Sequence, residues 1–208
     1  MQPYFFPYIG YFELMEAVDL FVFLTDVQYI RRGWVNRNRI RAKDKPFQHL
    51  TVPVKQQHQS DPIKDIQIAE GDWCASHLQI LRHTYGKQQH PLLDLYVTLG
   101  KHNYLCPMLM DSLVATARIM GLDTQFMDSN GLSEARGQQR IMEICERLGV
   151  GTYINLPGGR DLYQPEKFAE KGIDLQFMVP TSHPNKFSVI DLMLGDHTVP
   201  RPKGSYCG

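Results

Sequence analysis

The chain has 208 residues, of which 43% are hydrophobic and 21% charged. That is enough for one substantial core, short for two, and too apolar for a disordered segment. Lys plus Arg and Asp plus Glu both number 22, so the basic excess of a protein that grips nucleic acid by its phosphates is missing and no nucleic-acid partner is expected.

In chain order, residues 10–19 predict a short helix with Phe12, Met15 and Val18 on one side. Residues 20–24 form a continuous apolar run, which suits a strand buried on both faces. Residues 26–45 read as a polar, basic loop, residues 47–54 as a second strand and residues 63–68 as a third. Helices are expected at 73–85, 92–99 and 107–120, the last opened by Pro107 and closed by Gly121. A strand at 124–127 precedes a helix at 134–148, where Ile141, Ile144, Cys145 and Leu148 follow i, i+3, i+4, i+7 spacing. A strand at 152–155, a helix at 165–171, a strand at 174–179 and a helix at 188–194 complete the series.

This alternation predicts an α/β fold, a Rossmann-like three-layer domain with a mostly parallel sheet. No repeat or linker divides the chain, so residues 1–208 are expected to form one domain, with a helical insertion at 72–120. The opening segment has the character of a loop leaving a strand, so either the domain starts with this loop or a short apolar strand is expected before residue 1.

Cys74, Cys106, Cys145 and Cys207 lack zinc-ligand spacing. None of the eight histidines pairs at HExxH or HxH spacing, so no metal is expected. No apolar run reaches the ~18 residues of a membrane span, and Met1 leads straight into Gln2 and Pro3 without a secretory leader. The expectation is a cytoplasmic protein with reduced thiols and no membrane partner.

Four constellations carry potential chemistry. In the first, Gln2 to Phe12, Pro3 and Pro7 stiffen the chain, Gly10 frees it at a helix start, and Tyr4, Tyr8 and Tyr11 offer a wall for a sugar or base. An aromatic structural turn is the plainer alternative. The second places Asp26 and Gln28 beyond a buried strand, where open parallel sheets bind ligands; a turn-forming Asp is the alternative. The third runs from Arg31 to Arg41, with five arginines in eleven residues. Arg31, Arg32 and Arg37, with Trp34, Asn36 and Asn38, suit phosphate or carboxylate recognition, or a solvated basic loop. The fourth is Asn155 to Tyr163, where Gly158 and Gly159 permit close backbone approach and Arg160 and Tyr163 flank them; it lacks the GK[ST] of a Walker loop. His77 lies on the inward face of its helix, as a base or as a core residue.

QPYFFPYIGYFELM, DLFVFLTDVQY, RRGWVNRNRI and LTVPV, followed by TYINLPGGRDLY, FAEKGIDLQF and SVIDLML, resemble the WbqC-like family over nearly the whole chain. Two departures stand out. The family usually opens with an apolar strand before Gln-Pro, and it often carries Asp-Asp where this chain has Thr25-Asp26. The second departure weakens any two-carboxylate mechanism. The resemblance implies a role in building sugars of bacterial O-antigen or capsule.

The expected function is therefore an N-acyltransferase acting on a nucleotide-linked amino sugar. Asp26 or His77 would be the base, N–H groups near Gly10 would hold the acyl oxygen, and the arginines would hold phosphate. The acyl donor would be acyl-CoA or an acylated carrier protein, making an acyl carrier protein a candidate partner. Two alternatives stand beside it. One is a nucleotidyltransferase-like enzyme, which would place histidines where this chain has Tyr8 and Tyr11. The other is a non-catalytic sugar-nucleotide binding module.

Overall fold

The computed structural model describes residues 1–58, 60–181 and 186–195, together with the backbone of Ser205–Cys207. In chain order the elements are α1 (Ile9–Glu16), β1 (Leu20–Phe23), β2 (Arg37–Ile40), β3 (Gln48–Thr51), α2 (Trp73–Tyr85), α3 (Pro91–Leu99) and α4 (Leu105–Ile119). They continue with β4 (Gln125–Asp128), α5 (Gly137–Leu148), β5 (Thr152–Asn155), α6 (Pro165–Glu170), β6 (Asp174–Val179), α7 (Val189–Leu194) and β7 (Ser205–Cys207). The fold is mixed α/β, with three small sheets among the described residues where the sequence predicts one mostly parallel sheet. β1 pairs with β4 in parallel, and β5 with β6 in parallel. β7 adds to β6 antiparallel, and β2–β3 is an antiparallel hairpin.

Residues 37–40 are a strand, although their composition reads as loop. Their burial alternates: Asn38 and Ile40 point inward, Arg37 and Arg39 lie half exposed. The strand expected at 63–68 is instead a 3-10 turn at Ile63–Asp65. Its apolar residues Ile63 and Ile66 are spaced by three, as a turn requires, and both are buried. Only Gln67 and Ile68 pair onward, with Tyr104 and Val54. In β1, Phe21 and Phe23 are buried but Leu20 and Val22 are half-buried, because they border an open apolar groove.

The helical segment α2–α4 packs on the opening loop. Phe6 stacks on Tyr96 at 5.6 Å between ring centroids, and Phe5 meets Trp73 edge-on at 6.3 Å. Cys106 and Cys145 are buried free thiols and Cys74 is half-buried, so these three serve as small core residues; the side chain of Cys207 lies outside the described residues.

The opening loop is pinned from three sides. The Phe5 N–H donates to the Val35 carbonyl (3.0 Å). Asn38 Nδ2 donates to the carbonyls of Phe5 (3.2 Å) and Phe6 (2.9 Å). Ser188 Oγ donates to the same Phe6 carbonyl (2.7 Å), and the Val189 N–H to Pro7 (2.8 Å). These bonds hold Phe6 at a φ of 40°, a left-handed conformation costly for a side chain of this size. A Cβ on Gly10 would lie 2.4 Å from the Tyr8 ring and 3.0 Å from Pro180 Cβ, so glycine here serves close packing.

Asn38→Ala would leave the buried Phe5 carbonyl without its donor and release the strained turn. We expect a loss of about 2 kcal/mol, read as a lowered urea midpoint with an unchanged slope; a midpoint equal to the parent's would show the loop to be held elsewhere.

Candidate functional site

The parallel strands β1 and β4 end side by side, and a polar cleft with a cavity volume of about 1020 Å³ opens beyond their carboxyl ends. Asp26 and Gln28, from the segment after β1, line it. Asn130, Ser133 and Glu134 come from the segment after β4, and Arg136, Gly137 and Arg140 from the start of α5. Lys64 and His58 close the remaining side.

Its floor is a hydrogen-bonded cluster. Arg140 Nη2 donates to Asp26 Oδ1 at 2.5 Å and to Ser129 Oγ at 3.3 Å. The Ser129 hydroxyl donates to the same Asp26 oxygen at 3.0 Å. On the neighbouring strand end, Thr25 Oγ1 and the Asn130 N–H both donate to Asp128 Oδ1, and Lys64 Nζ donates to Asn130 Oδ1 at 2.9 Å. Partial burial disfavours the Asp26 charge, but the bonds from Arg140 and Ser129 outweigh it and hold the carboxyl below its ordinary range. Asp26 is therefore a fixed anion and a weak base. Arg140 is committed only in part: its Nε is buried without a hydrogen-bond partner. Beside it, the first N–H groups of α5 receive no bond from the side chain of Arg136, which stands at the N-cap. Cationic donors and a helix N-terminus thus converge on one cleft, an arrangement that suits an anionic ligand.

Of the residues singled out from sequence, Asp26 and Gln28 reach this cleft and the others are placed elsewhere. Tyr11 is buried, its hydroxyl donating to the Gln2 carbonyl at 2.7 Å, and the half-buried Tyr4 donates to Gln2 Oε1. Tyr8 covers Gly10. The three tyrosines thus form no single exposed wall. Asn36 is buried and donates to the Val52 carbonyl, tying the hairpin to its own strand exit. Asn38 holds the opening loop. Arg37 folds back on the carbonyls of Arg32 and Gly33. Arg31 and Arg32 are exposed, and Trp34 is exposed with the Arg39 guanidinium over its ring at 5.3 Å. Beyond β5, Arg160 lies over Phe177 at 4.8 Å and Tyr163 Oη accepts from Asn155 Nδ2. A Cβ on Gly159 would crowd Asn155 at 3.1 Å, while Gly158 is exposed with open space around it. This fourth constellation packs against the smaller core around Phe168.

His77 is not brought to Asp26. It is buried among Phe5, Trp73 and Tyr96, with Nε2 3.1 Å from the Thr51 carbonyl. It does not line the cleft. The cleft residues that sequence reasoning passed over include Arg136 and Arg140, with Lys64 and His58, and beneath them the buried Ser129 bonds to Asp26 and Arg140. The signal was present: DSNGLSEARG (128–137) is a polar stretch that leaves a strand and enters a helix, as TDVQ does after β1. Among the described residues, no group of three or more His, Cys, Asp or Glu is gathered to hold a metal ion, and no helix is long and apolar enough to cross a membrane.

The family model described as WbqC-like protein family matches residues 2–195. The uncharacterized protein Rv1507c of Mycobacterium tuberculosis (strain ATCC 25618 / H37Rv) is 29% identical over 183 residues, spanning 83% of this chain and 78% of that protein. No solved structure matches the chain at a significant level.

Burial pushes the His77 imidazole down to about 4, from an ordinary 6.5, against the opposing pull of the Thr51 carbonyl. The unfolded chain then binds the extra proton in this window, so stability is full above 6.5 and falls as pH drops toward 4. His77→Phe is expected to flatten that part of a thermal-stability profile against pH. An unchanged profile would place the titrating group elsewhere.

Proposed function

The chain belongs to the WbqC-like protein family, and from that premise we propose that it is an N-acyltransferase acting on a nucleotide-linked amino sugar, in the cytoplasm and in the service of O-antigen or capsule biosynthesis. The observation that carries the reading is the buried, unpartnered Nε of Arg140 beside the N-terminus of α5, in a cleft that Arg136 and Lys64 also line. A diphosphate accepts forked hydrogen bonds from guanidinium and backbone N–H groups together, and the cleft is large enough for the sugar that follows it. The same reading takes the small parallel sheets as parts of a Rossmann-like three-layer domain, whose ligands bind beyond the carboxyl ends of its strands.

Asp26 has the charge to hold and orient the sugar ammonium, and its lowered pKa makes it a poor proton acceptor. His58, exposed at the cleft's edge, is the imidazole in reach for general-base work. Once neutral, the sugar nitrogen attacks the acyl carbonyl, the amide bond forms, the thioester carbon–sulfur bond breaks, and the leaving thiolate takes up a proton. The donor is acyl-CoA or an acylated carrier protein; Arg31 and Arg32, exposed three and four residues after Gln28, suit its phosphate. His77 has no part in this chemistry. A nucleotidyl-transfer role fits less well, since Tyr11 is locked to the Gln2 carbonyl and neither it nor Tyr8 supplies an imidazole at the opening helix.

Calorimetric titration with dTDP-, UDP- and GDP-linked amino sugars is the test. One class should bind, and Arg140→Gln should weaken it about tenfold or more, roughly 1.4 kcal/mol, while free sugar binds neither protein. Equal affinity in the variant would sink the phosphate assignment. Turnover with acyl-CoA or acylated carrier protein should fall in His58→Ala with little change in KM; tight binding without turnover from either donor would leave a binding module.

A further inference from the structure

Between the buried Tyr29 and Val35 the chain turns outward, leaving Ile30 54% and Trp34 44% exposed with Arg31 and Arg32 between them. The turn is firmly held. The Gly33 N–H donates to the Ile30 carbonyl at 3.2 Å, Arg32 sits at a φ of 59°, and the Arg37 guanidinium binds the carbonyls of Arg32 and Gly33. A Cβ on Gly33 would lie 3.0 Å from the Ile30 carbonyl oxygen. A left-handed arginine costs energy, and what it secures here is the display of an isoleucine and a tryptophan to solvent.

The β2–β3 hairpin continues this face. Arg39 stands opposite His49 in the antiparallel register. Its guanidinium lies 5.3 Å from the ring centroids of both Trp34 and Phe47, and Phe47 meets His49 edge-on at 5.3 Å. Phe47 is exposed, as are Lys43 and Lys45 in the turn before it. Residues 30–49 carry seven Lys or Arg against one acidic residue, Asp44, in a chain of zero net charge. Arg41 is paired with Asp191; the other six form no ion pair among the described residues. Partial burial, with the charges of Arg37, Arg39 and Lys45, pushes the His49 imidazole down, as a positive field over this face requires. These residues line neither the polar cleft nor the apolar groove beside β1.

We propose that this face docks on an anionic membrane surface, with Ile30, Trp34 and Phe47 entering the headgroup layer and Lys43 and Lys45 meeting lipid phosphates. Tryptophan settles at the membrane interface. Lys and Arg lay their stems along apolar surface while their charges reach phosphate, and anionic leaflets attract clustered cations. Lipid fits better than nucleic acid: Trp34 and Phe47 each already hold the Arg39 guanidinium on a ring face that a base would need, and Ile30 has no ring to offer. The contact needs no helix that crosses a bilayer, so the lack of an apolar span, which set the expectation of no membrane partner, does not bear on it. The proposal stands apart from the transferase reading. Arg31 and Arg32, offered there to a donor phosphate, add charge to this face, and the test leaves them in place.

The test is sedimentation of the 208-residue chain with phosphatidylcholine vesicles, with and without about 30% phosphatidylglycerol. The chain should pellet with the anionic vesicles at about 50 mM salt, stay free at about 500 mM, and ignore the neutral vesicles. Of the two tryptophans Trp73 is already buried, so a blue shift of emission on binding reports Trp34. Lys43→Glu combined with Lys45→Glu, both in an exposed turn, should weaken the association at least about tenfold at an unchanged Tm, and Trp34→Ser should weaken it as well. No pelleting with anionic vesicles, equal pelleting with neutral ones, equal association of the double variant, or binding without the emission shift would overturn the proposal. So would binding of a single-stranded oligonucleotide or of polyglutamate in place of vesicles, which would give the face to a nucleic acid or to an acidic protein.

Discussion

The carbonyl oxygens of Phe5 and Phe6 are the joint on which this molecule turns. Asn38 reaches them from the β2–β3 hairpin and Ser188 from the start of α7, while the Phe5 N–H returns a bond to Val35. Three separate stretches of chain thus meet at two peptide groups. A phenylalanine held at a φ of 40° costs of the order of 1–3 kcal/mol, and such a turn persists only where its surroundings determine it. The return is directional. With the carbonyls taken by Asn38 and Ser188, the two rings project into the α2–α4 layer, where Tyr96, Trp73 and His77 surround them. Pro7 then delivers the chain to α1, whose Gly10 lets Tyr8 and Pro180 close over the helix start.

The polar cleft follows from the same frame. Parallel pairing of β1 with β4 brings Asp26 next to Ser129, although 103 residues separate them. Arg140 enters from α5 and neutralises Asp26 with a single nitrogen. A bidentate pair would have spent the guanidinium on the protein; this one leaves Nε buried and unpartnered. An unsatisfied buried donor is costly, and it is tolerated most readily where a ligand completes it. The aromatic opening segment, which carries the densest sequence motif, holds this frame in place and supplies no wall to the cleft.

The expected and observed helices agree closely for α2 and α5, where the apolar spacing is regular and the ends are marked by Asp72, which caps Ala75, and by Gly149 in the left-handed conformation. The strands at 20–24, 152–155 and 174–179 were legible as apolar runs after helices. β2 was not, because Arg37, Asn38 and Arg39 are polar and Asn38 is buried only to serve carbonyls that lie 32 and 33 residues earlier. Residues 63–68 misled in the opposite sense. Their apolar content is that of a strand, but only Gln67 and Ile68 find bridge partners, and residues 63–65 close a 3-10 turn instead.

Site residues divide on the same line. Asp26 and Gln28 could be placed from sequence, since the end of a buried strand is a local property and ligands gather there. His77 and Tyr11 could not, because inward aromatic and imidazole side chains look alike in sequence whether they face a ligand or a core. Arg140 was invisible for a further reason: its role depends on a pairing between β1 and β4 that no local pattern encodes. Sequence alone determined the α/β class, the bounds of α2, the end of α5 at Gly149 and the WbqC-like family, because propensity, capping and motif are short-range; it misplaced the end of α1 and the start of α4, which opens at Leu105 and not at Pro107. The tertiary structure alone decided that the opening segment is a structural joint, that the cleft belongs to Arg140 and Asp26, and that β1 and β5 face each other across an open groove, because those facts rest on which distant backbone edges and charges come together.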